Sequence, residues 1–278
     1  MQLGALFGLG SAAAFGLCDF TAGLGARRLS FWWVSLVSLG ASSAGAWLAA
    51  LLGPHHTPTT TSLLWSAAAG TGAAIGASAL YRGYGHGQMA VAGPLSAVGA
   101  AALPAVVGAL LGERLSPWGL VGVVAALPAI WLMSSTGGGG SGVRTGVGDG
   151  LVSGAGFALE FVGLERAGST AGLWPVAVSQ TTALVLTAVL VAARHPSRLG
   201  GAPAYGLAVL AGLLSLLATT SYFLAAHEGM LTVAAVLASV YPGVTVGLAA
   251  AFLDERPGRR QLGGFVLGAF AVTLIVVA

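Results

Sequence analysis

Ten apolar segments, each long enough to cross a lipid bilayer, follow one another along this chain. A bilayer core about 30 Å thick needs roughly 20 apolar residues per helix. Segments of this length lie between charges, prolines and Ser/Thr clusters, near 3–26, 31–52, 62–85, 88–111, 116–134, 149–168, 171–193, 204–226, 230–253 and 259–277. The pattern predicts an all-α membrane protein with ten transmembrane helices, because the short alternating strands of a transmembrane barrel are not found in the sequence.

The scarcity of charge supports the same conclusion. Only 7% of the 278 residues are Asp, Glu, Lys or Arg, whereas a soluble protein carries about a quarter. A mean hydropathy of +0.90 excludes both a water-facing globule and a disordered chain. The net charge of +3 comes from a few loop arginines, so we exclude nucleic acid as a partner. All 11 basic residues are Arg, and no Lys or Asn occurs, which indicates a GC-rich bacterial genome and the bacterial inner (plasma) membrane.

Several features that would indicate other chemistry are weak here. The first apolar stretch lacks a basic start and continues to Gly25, so we interpret it as a retained helix rather than a signal peptide. The single cysteine, Cys18, cannot form an internal disulfide and is expected to be a packing residue. His55 and His56 have no acidic or cysteine neighbour, so we expect no metal site and no cofactor.

An internal repeat relates the two halves of the chain. Adding 142 to a residue number carries Trp32 onto Trp174, Glu113 onto Glu255, and Arg114 onto Arg256, among other pairs. We therefore divide the chain into repeats at 1–134 and 149–278, joined by a Gly/Ser linker at 135–148. Five helices per repeat is an odd number, so the second repeat must enter the membrane from the opposite side. The sequence thus predicts two inverted five-helix repeats, an architecture typical of transporters that bind substrate near the midplane.

Four stretches then carry a family resemblance. They are Ala79-Leu80-Tyr81-Arg82-Gly83-Tyr84, the Leu111-Gly112-Glu113-Arg114 turn, and Ser239-Val240-Tyr241-Pro242-Gly243 followed by Asp254-Glu255-Arg256-Pro257. With these stretches each half resembles an EamA domain of the drug/metabolite transporter superfamily, although Asp254 stands where the family usually has Gly. The resemblance implies transport of a small metabolite, with export as the expected direction. Members of the family move amino acids, nucleotide sugars, cationic drugs and other metabolites, so the substrate stays open. We assign the two Glu-Arg turns to architecture, since charges at the interface can hold a tight turn.

Three ionisable residues fall at bilayer depth, where a charge is costly and normally faces the bundle interior. Glu160 lies in the middle of the sixth segment, with Gly156 and Gly163 on its face to give room for a partner or a ligand. It is either the counter-charge for a cation or a proton, or half of a structural pair with an arginine. Asp19 is near-equivalent to it in the other repeat. Arg82 either binds a substrate carboxylate or Asp19, as an anion partner or gate, or extends to the interface among tyrosines.

Polar and aromatic residues inside the segments complete the predicted substrate site. We expect Tyr81, Tyr222, Gln180, Tyr241 and Trp174 to line the cavity. The alternatives are hydrogen bonds between helices and, for tryptophan, an interfacial belt. The Tyr241-Pro242 step should break the ninth segment and free backbone carbonyls there.

The sequence therefore predicts a secondary-active or facilitative transporter that exports a small amphipathic metabolite, amino acid-like or drug-like, by alternating access. Its partners are the small-molecule substrate and the lipid bilayer. Proton coupling is left open, as is the choice between monomer and homodimer. We do not expect an enzyme, since no metal set or Ser/Lys dyad occurs at helical spacing. A lipid or lipid-linked sugar flippase is the first alternative, and a non-transporting membrane receptor or assembly factor is the second.

The arginines also predict an orientation. Nine of them fall in odd-numbered loops and two in even-numbered loops. Because cytoplasmic loops carry excess basic residues, this bias places the odd loops in the cytoplasm and both termini outside. Relatives are often drawn with cytoplasmic termini, so the two expectations conflict.

Overall fold

The computed structural model describes residues 2–53, 57–110, 116–134, 141–197, 200–227, 241–253 and 258–277. All regular structure in these residues is helical, which confirms the predicted all-α class for this part of the chain. The helices are α1 (Gln2–Ala26), α2 (Phe31–Leu52), α3 (Thr60–Gly85), α4 (Met89–Leu110), α5 (Pro117–Ser134), α6 (Ser141–Ala167), α7 (Trp174–Arg194), α8 (Ala202–His227), α9 (Tyr241–Phe252) and α10 (Arg259–Val277).

Six of these helices are long and apolar enough to cross a membrane. They contain the stretches Phe7–Ala26, Phe31–Leu52, Thr60–Gly85, Thr145–Ala167, Trp174–Arg194 and Ala202–Ala225. The other four have shorter apolar stretches, Met89–Leu103, Pro117–Ala129, Tyr241–Phe252 and Leu262–Leu274. The chain is thus a multi-pass helical protein, and the count of ten spans stays a prediction.

Helix α6 begins earlier than the sequence indicates. It starts at Ser141, not at residue 149, so residues 141–148 of the Gly/Ser stretch form its first two turns. Glycine lowers helix propensity by about 1 kcal/mol, but tertiary packing can override this. The packing is visible at Gly146, where an added Cβ would lie 2.8 Å from the Cβ of Gln88.

Several sequence features lie outside the described residues. They are His55, His56, the turns with Glu113-Arg114 and Glu255-Arg256, and the part of the ninth segment before Tyr241. Their predicted roles stay predictions.

Large apolar side chains cover the outside of the bundle. Leu52, Leu64, Trp118, Leu127 and Phe252 are between 67% and 79% exposed. The buried positions, in contrast, include many alanines, serines and threonines. Large apolar side chains outside and small or polar ones among the buried residues are the arrangement expected when lipid is the solvent.

The most extensive helix contacts join opposite halves of the chain. Helix α3 packs mainly on α6, and α1 mainly on α8. Adding 142 to a residue number relates α1 to α6 and α3 to α8, so these two contacts are equivalent in the repeat. The contacts of α2 with α8 and of α3 with α7 are related in the same way. Each half is therefore interleaved with the other.

Glycines bring α3 and α6 together at backbone distance. A Cβ at Gly156 would lie 2.5 Å from the backbone nitrogen of Gly76, and a Cβ at Gly163 would lie 2.9 Å from that of Ala69. Small residues allow such close approach between membrane helices. The room that Gly156 and Gly163 were expected to leave for a partner or a ligand is filled by the backbone of α3, because the missing side chains admit another helix.

Candidate functional site

Asp19 lies inside the bundle, near the end of α1. It is 4% exposed, and the Tyr84 hydroxyl of α3 donates a hydrogen bond of 2.7 Å to its Oδ2. The neighbouring Cys18 thiol lies 3.6 Å from the Tyr81 hydroxyl. Tyr81 also lies within hydrogen-bonding reach of Ser38 on α2. These contacts hold the first acid in a polar layer shared by α1, α2 and α3.

Glu160 lies in α6 and is 5% exposed. Within the described residues it has no hydrogen bond and no ion pair, so the structure gives no support to the alternative of a pair with an arginine. It is within electrostatic range of Cys18 and Tyr222. Cys18 is also within range of Asp19, so this thiol is close to both acids. A buried carboxyl group without a cation is costly, and it favours either a proton or a cationic ligand.

Aromatic rings surround the segment that contains Glu160. Phe161 is 4.8 Å from Tyr222 and 6.4 Å from Phe15, and Phe15 is 5.7 Å from Tyr241, measured between ring centroids. We call these four residues, Tyr241, Phe15, Phe161 and Tyr222, the aromatic chain. It connects α9, α1, α6 and α8, so two of the predicted cavity residues belong to one continuous set of rings.

Tyr241 is fixed at one end of the aromatic chain. It is the first residue of α9, and its hydroxyl is within hydrogen-bonding reach of Ser96 on α4. The Ser96 hydroxyl in turn lies 2.8 Å from the Ser153 hydroxyl on α6. The helix break expected at Tyr241-Pro242 falls at the edge of the described residues.

Arg82 binds Asp149, not Asp19. The Arg82 Nε donates a 2.8 Å hydrogen bond to Asp149 Oδ1, and its terminal nitrogen makes an ion pair with the same oxygen. The Asp149 side chain is completely buried, whereas the Arg82 side chain is 45% exposed. Asp149 Oδ2 has no hydrogen-bond partner within the residues that the structure describes. The pair joins the end of α3 to the beginning of α6.

Two further predicted residues lie in the packing around α7. Trp174 meets Trp47 edge to face, with 5.2 Å between ring centroids, and its Nε1 has no hydrogen-bond partner in the described part of the chain. Gln180 is 2% exposed, and its Oε1 also lacks a partner among these residues. The described contacts join neither residue to the aromatic chain.

Sequence reasoning missed three residues that contact the predicted site residues. Tyr84 donates a hydrogen bond to Asp19, and Asp149 pairs with Arg82. Phe161 carried no signal except that it follows Glu160. Adding 142 to 19 gives 161, so a strict use of the repeat identifies Phe161 as the position equivalent to Asp19.

The arrangement can bind an amphipathic cation. A carboxylate supplies the counter-charge, and aromatic faces attract both an apolar group and a cation by about 0.5–2 kcal/mol per contact. Across the described residues no group of His, Cys, Asp and Glu is suited to hold a metal ion.

Comparison with known proteins gives the family. The EamA-like transporter family matches residues 145–277, from the first turns of α6 to the end of α10. The second half of the chain therefore contains an EamA-like transporter domain. This EamA protein is therefore a membrane transporter of the drug/metabolite transporter superfamily, as the sequence motifs predicted. The match covers the second half, and the likeness of the first half to an EamA domain stays a prediction.

Solved structures support the fold of the EamA protein over its whole length. One of them, named only "Crystal structure of protein", covers 99% of this chain and 97% of its own, with a TM-score of 0.64 and 15% identity. At that identity the likeness concerns the fold alone. No curated protein matches the chain in sequence.

Proposed function

We propose that this EamA protein exports a small amphipathic metabolite with an amino group, amino acid-like or drug-like, by alternating access. The observation that carries the proposal is Glu160, a buried carboxyl group with no cation beside it in the described structure. The aromatic chain supplies the apolar contact that an amphipathic substrate needs. When the substrate leaves, a proton can take its place on Glu160 and keep the buried group neutral.

Two acids have different roles in this proposal. Asp19 already accepts a hydrogen bond from Tyr84, so part of its hydrogen-bonding capacity is satisfied inside the protein. Among the described residues Glu160 has no such donor, so it is the group left for the substrate. A ligand with one positive charge suits this arrangement better than a dication.

Alternating access is supported by the pairing of contacts. Helix pairs α1 with α8 and α3 with α6 are exchanged by the offset of 142, as two inverted repeats require. In the proposed mechanism one set of helices rocks against the other and opens the site to each side in turn. The site lies in the inner membrane. From the excess of arginines in the odd-numbered loops we expect the α1–α2 turn to face the cytoplasm.

Binding and flux of matched variants test the proposal. Purified protein is melted with amino acids, nucleosides, sugars and cationic drugs, since a ligand of the folded state raises Tm by mass action. We expect amines to raise Tm for the wild type and for Glu165→Gln, which removes an exposed acid from the same helix. Glu160→Gln should lose this shift and should abolish pH-dependent flux of the same amine in proteoliposomes.

Two results would contradict the proposal at different levels. Unchanged flux and an unchanged pH profile in Glu160→Gln would remove Glu160 from the mechanism. Absence of flux for every solute class with the wild-type protein would remove metabolite transport itself, and would leave the receptor or flippase alternatives.

A further inference from the structure

Two connections on one face of the bundle are packed against each other. The Trp33 indole nitrogen, in the first turn of α2, donates a 3.2 Å hydrogen bond to the carbonyl oxygen of Pro196, which follows α7. A Cβ at Gly200 would lie 2.8 Å from Leu29 Cδ1 and 3.3 Å from the Arg28 carbonyl oxygen. The α1–α2 turn and the α7–α8 connection therefore pack together into one continuous surface.

This surface is basic. Arg28 lies in the first connection, and Arg194 and His195 lie at the end of α7; all three side chains are exposed. None of the eight acidic residues of the sequence falls in either connection. The surface thus concentrates positive charge without a carboxylate from its own segments, and it is complementary to an anion.

A groove opens beside this positive charge. Its volume is about 430 Å³, and it is lined by Trp33, Ala188, Val191, Ala192, His195 and Pro196. Ala188, Val191 and Ala192 belong to the last turns of α7, so the apolar part of the groove extends along a membrane-crossing helix. His195 closes α7 in the left-handed conformation, with φ of 43°. This conformation carries the chain away from the helix at the level of the arginines.

We propose that this groove binds an anionic phospholipid. The lipid phosphate would lie between Arg28, Arg194 and His195, and one acyl chain would lie across Ala188 and Ala192. Indole rings favour the headgroup level of a bilayer, so Trp33 stands at the boundary between the two parts of the ligand. Basic side chains near an anionic membrane attract its lipids, so this pair of arginines should favour anionic over zwitterionic lipid by roughly tenfold or more. The site is separate from Glu160 and does not depend on the transported substrate.

Thermal unfolding of the detergent-purified full chain tests the site with two lipids. We expect phosphatidylglycerol to raise Tm at lower concentration than phosphatidylcholine does. In the variant Arg28→Gln/Arg194→Gln the apparent affinity for phosphatidylglycerol should fall roughly tenfold or more, because two favourable charges are lost. The matched control is Arg259→Gln/Arg260→Gln, which removes two exposed arginines from the start of α10. This control should keep the wild-type response.

A second variant tests the apolar half of the groove without changing charge. Ala192→Phe fills the groove and should weaken phosphatidylglycerol binding while the melting curve without lipid stays close to wild type. Equal responses to the two lipids, or an equal loss in the control variant, would overturn the proposal. A full response to inorganic phosphate alone, or an unchanged response in Ala192→Phe, would also overturn it, because either result describes an anion site and not a lipid groove.

Discussion

At the scale of single residues, the scarcity of charge predicted two buried acids, Asp19 and Glu160, but neither their partners nor the buried Asp149. Asp19 and Glu160 could be found because each interrupts an apolar segment, and both are buried. The donor to Asp19 is Tyr84, which is 65 residues away in sequence. No periodicity within one helix contains that information, since it depends on how α1 and α3 are rotated against each other.

The pair of Arg82 and Asp149 belongs to one end of the molecule. The offset of 142 relates these positions to Leu224 and Phe7, which are apolar. An ion pair therefore joins α3 to α6, whereas the repeat-related positions on α8 and α1 carry no charge. The gate role predicted for Arg82 remains a prediction, and the ion pair gives it a defined partner.

The two residues of this pair should respond unequally to neutralisation. Arg82→Gln leaves a completely buried carboxylate without its cation, and removal of one partner from a buried pair costs about 3–5 kcal/mol. Asp149→Asn leaves an arginine that is 45% exposed and can be solvated, so it should cost less, roughly 1–2 kcal/mol. Thermal melts should show the lower Tm for Arg82→Gln. The double variant should recover part of that loss, and equal losses in the two single variants would contradict the asymmetry.

At the scale of elements, hydropathy located the helices well because each segment must match the thickness of the bilayer. The bounds of α2 and α5 differ from the predicted segments by at most one residue. The prediction failed at the start of α6, where composition indicated a flexible linker. Gly146 there packs closely against Gln88 in the α3–α4 turn, and composition alone cannot distinguish this use of glycine from flexibility.

Adding one methyl group within α6 tests whether a glycine there is needed for close packing. Gly156→Ala should lower stability by about 1–3 kcal/mol, because its Cβ would collide with the backbone of α3. Gly148→Ala is the matched control, since no atom lies within 4 Å of its added Cβ. Its higher helix propensity should raise stability by up to about 1 kcal/mol. Opposite signs in the two melting curves are the expected result, and a neutral Gly156→Ala would show that α3 and α6 can separate without loss.

At the scale of the whole molecule, the arginine bias gives a topology that labelling can check. Ser169 lies in the exposed α6–α7 turn and Ser197 in the exposed α7–α8 connection. Cys18 is the single cysteine and is buried, so Cys18→Ser provides a background for engineered thiols. In intact cells a membrane-impermeant maleimide should label Ser169→Cys and spare Ser197→Cys. The reverse pattern would place the termini in the cytoplasm, as relatives are often drawn, and would contradict the orientation expected from the arginine bias.

The repeat predicted that the halves correspond but not that they are interleaved. A duplication is visible in sequence as matched pairs such as Trp32 and Trp174. Whether each copy packs on itself or on the other depends on contacts between distant helices, and both arrangements give the same pattern of letters. The structure resolves this choice, with α1 against α8 and α3 against α6.

Interleaving has a consequence for biosynthesis. Synthesis proceeds from the amino terminus, so α1 and α3 enter the bilayer before their principal partners, α8 and α6, have left the ribosome. Until then Tyr84 can donate its hydrogen bond to Asp19, whereas Gly72 and Gly76 lack α6, the helix that packs against them. We therefore expect the helices of the first half to stay loosely associated in the bilayer, and the bundle to assemble only after the second half is translated.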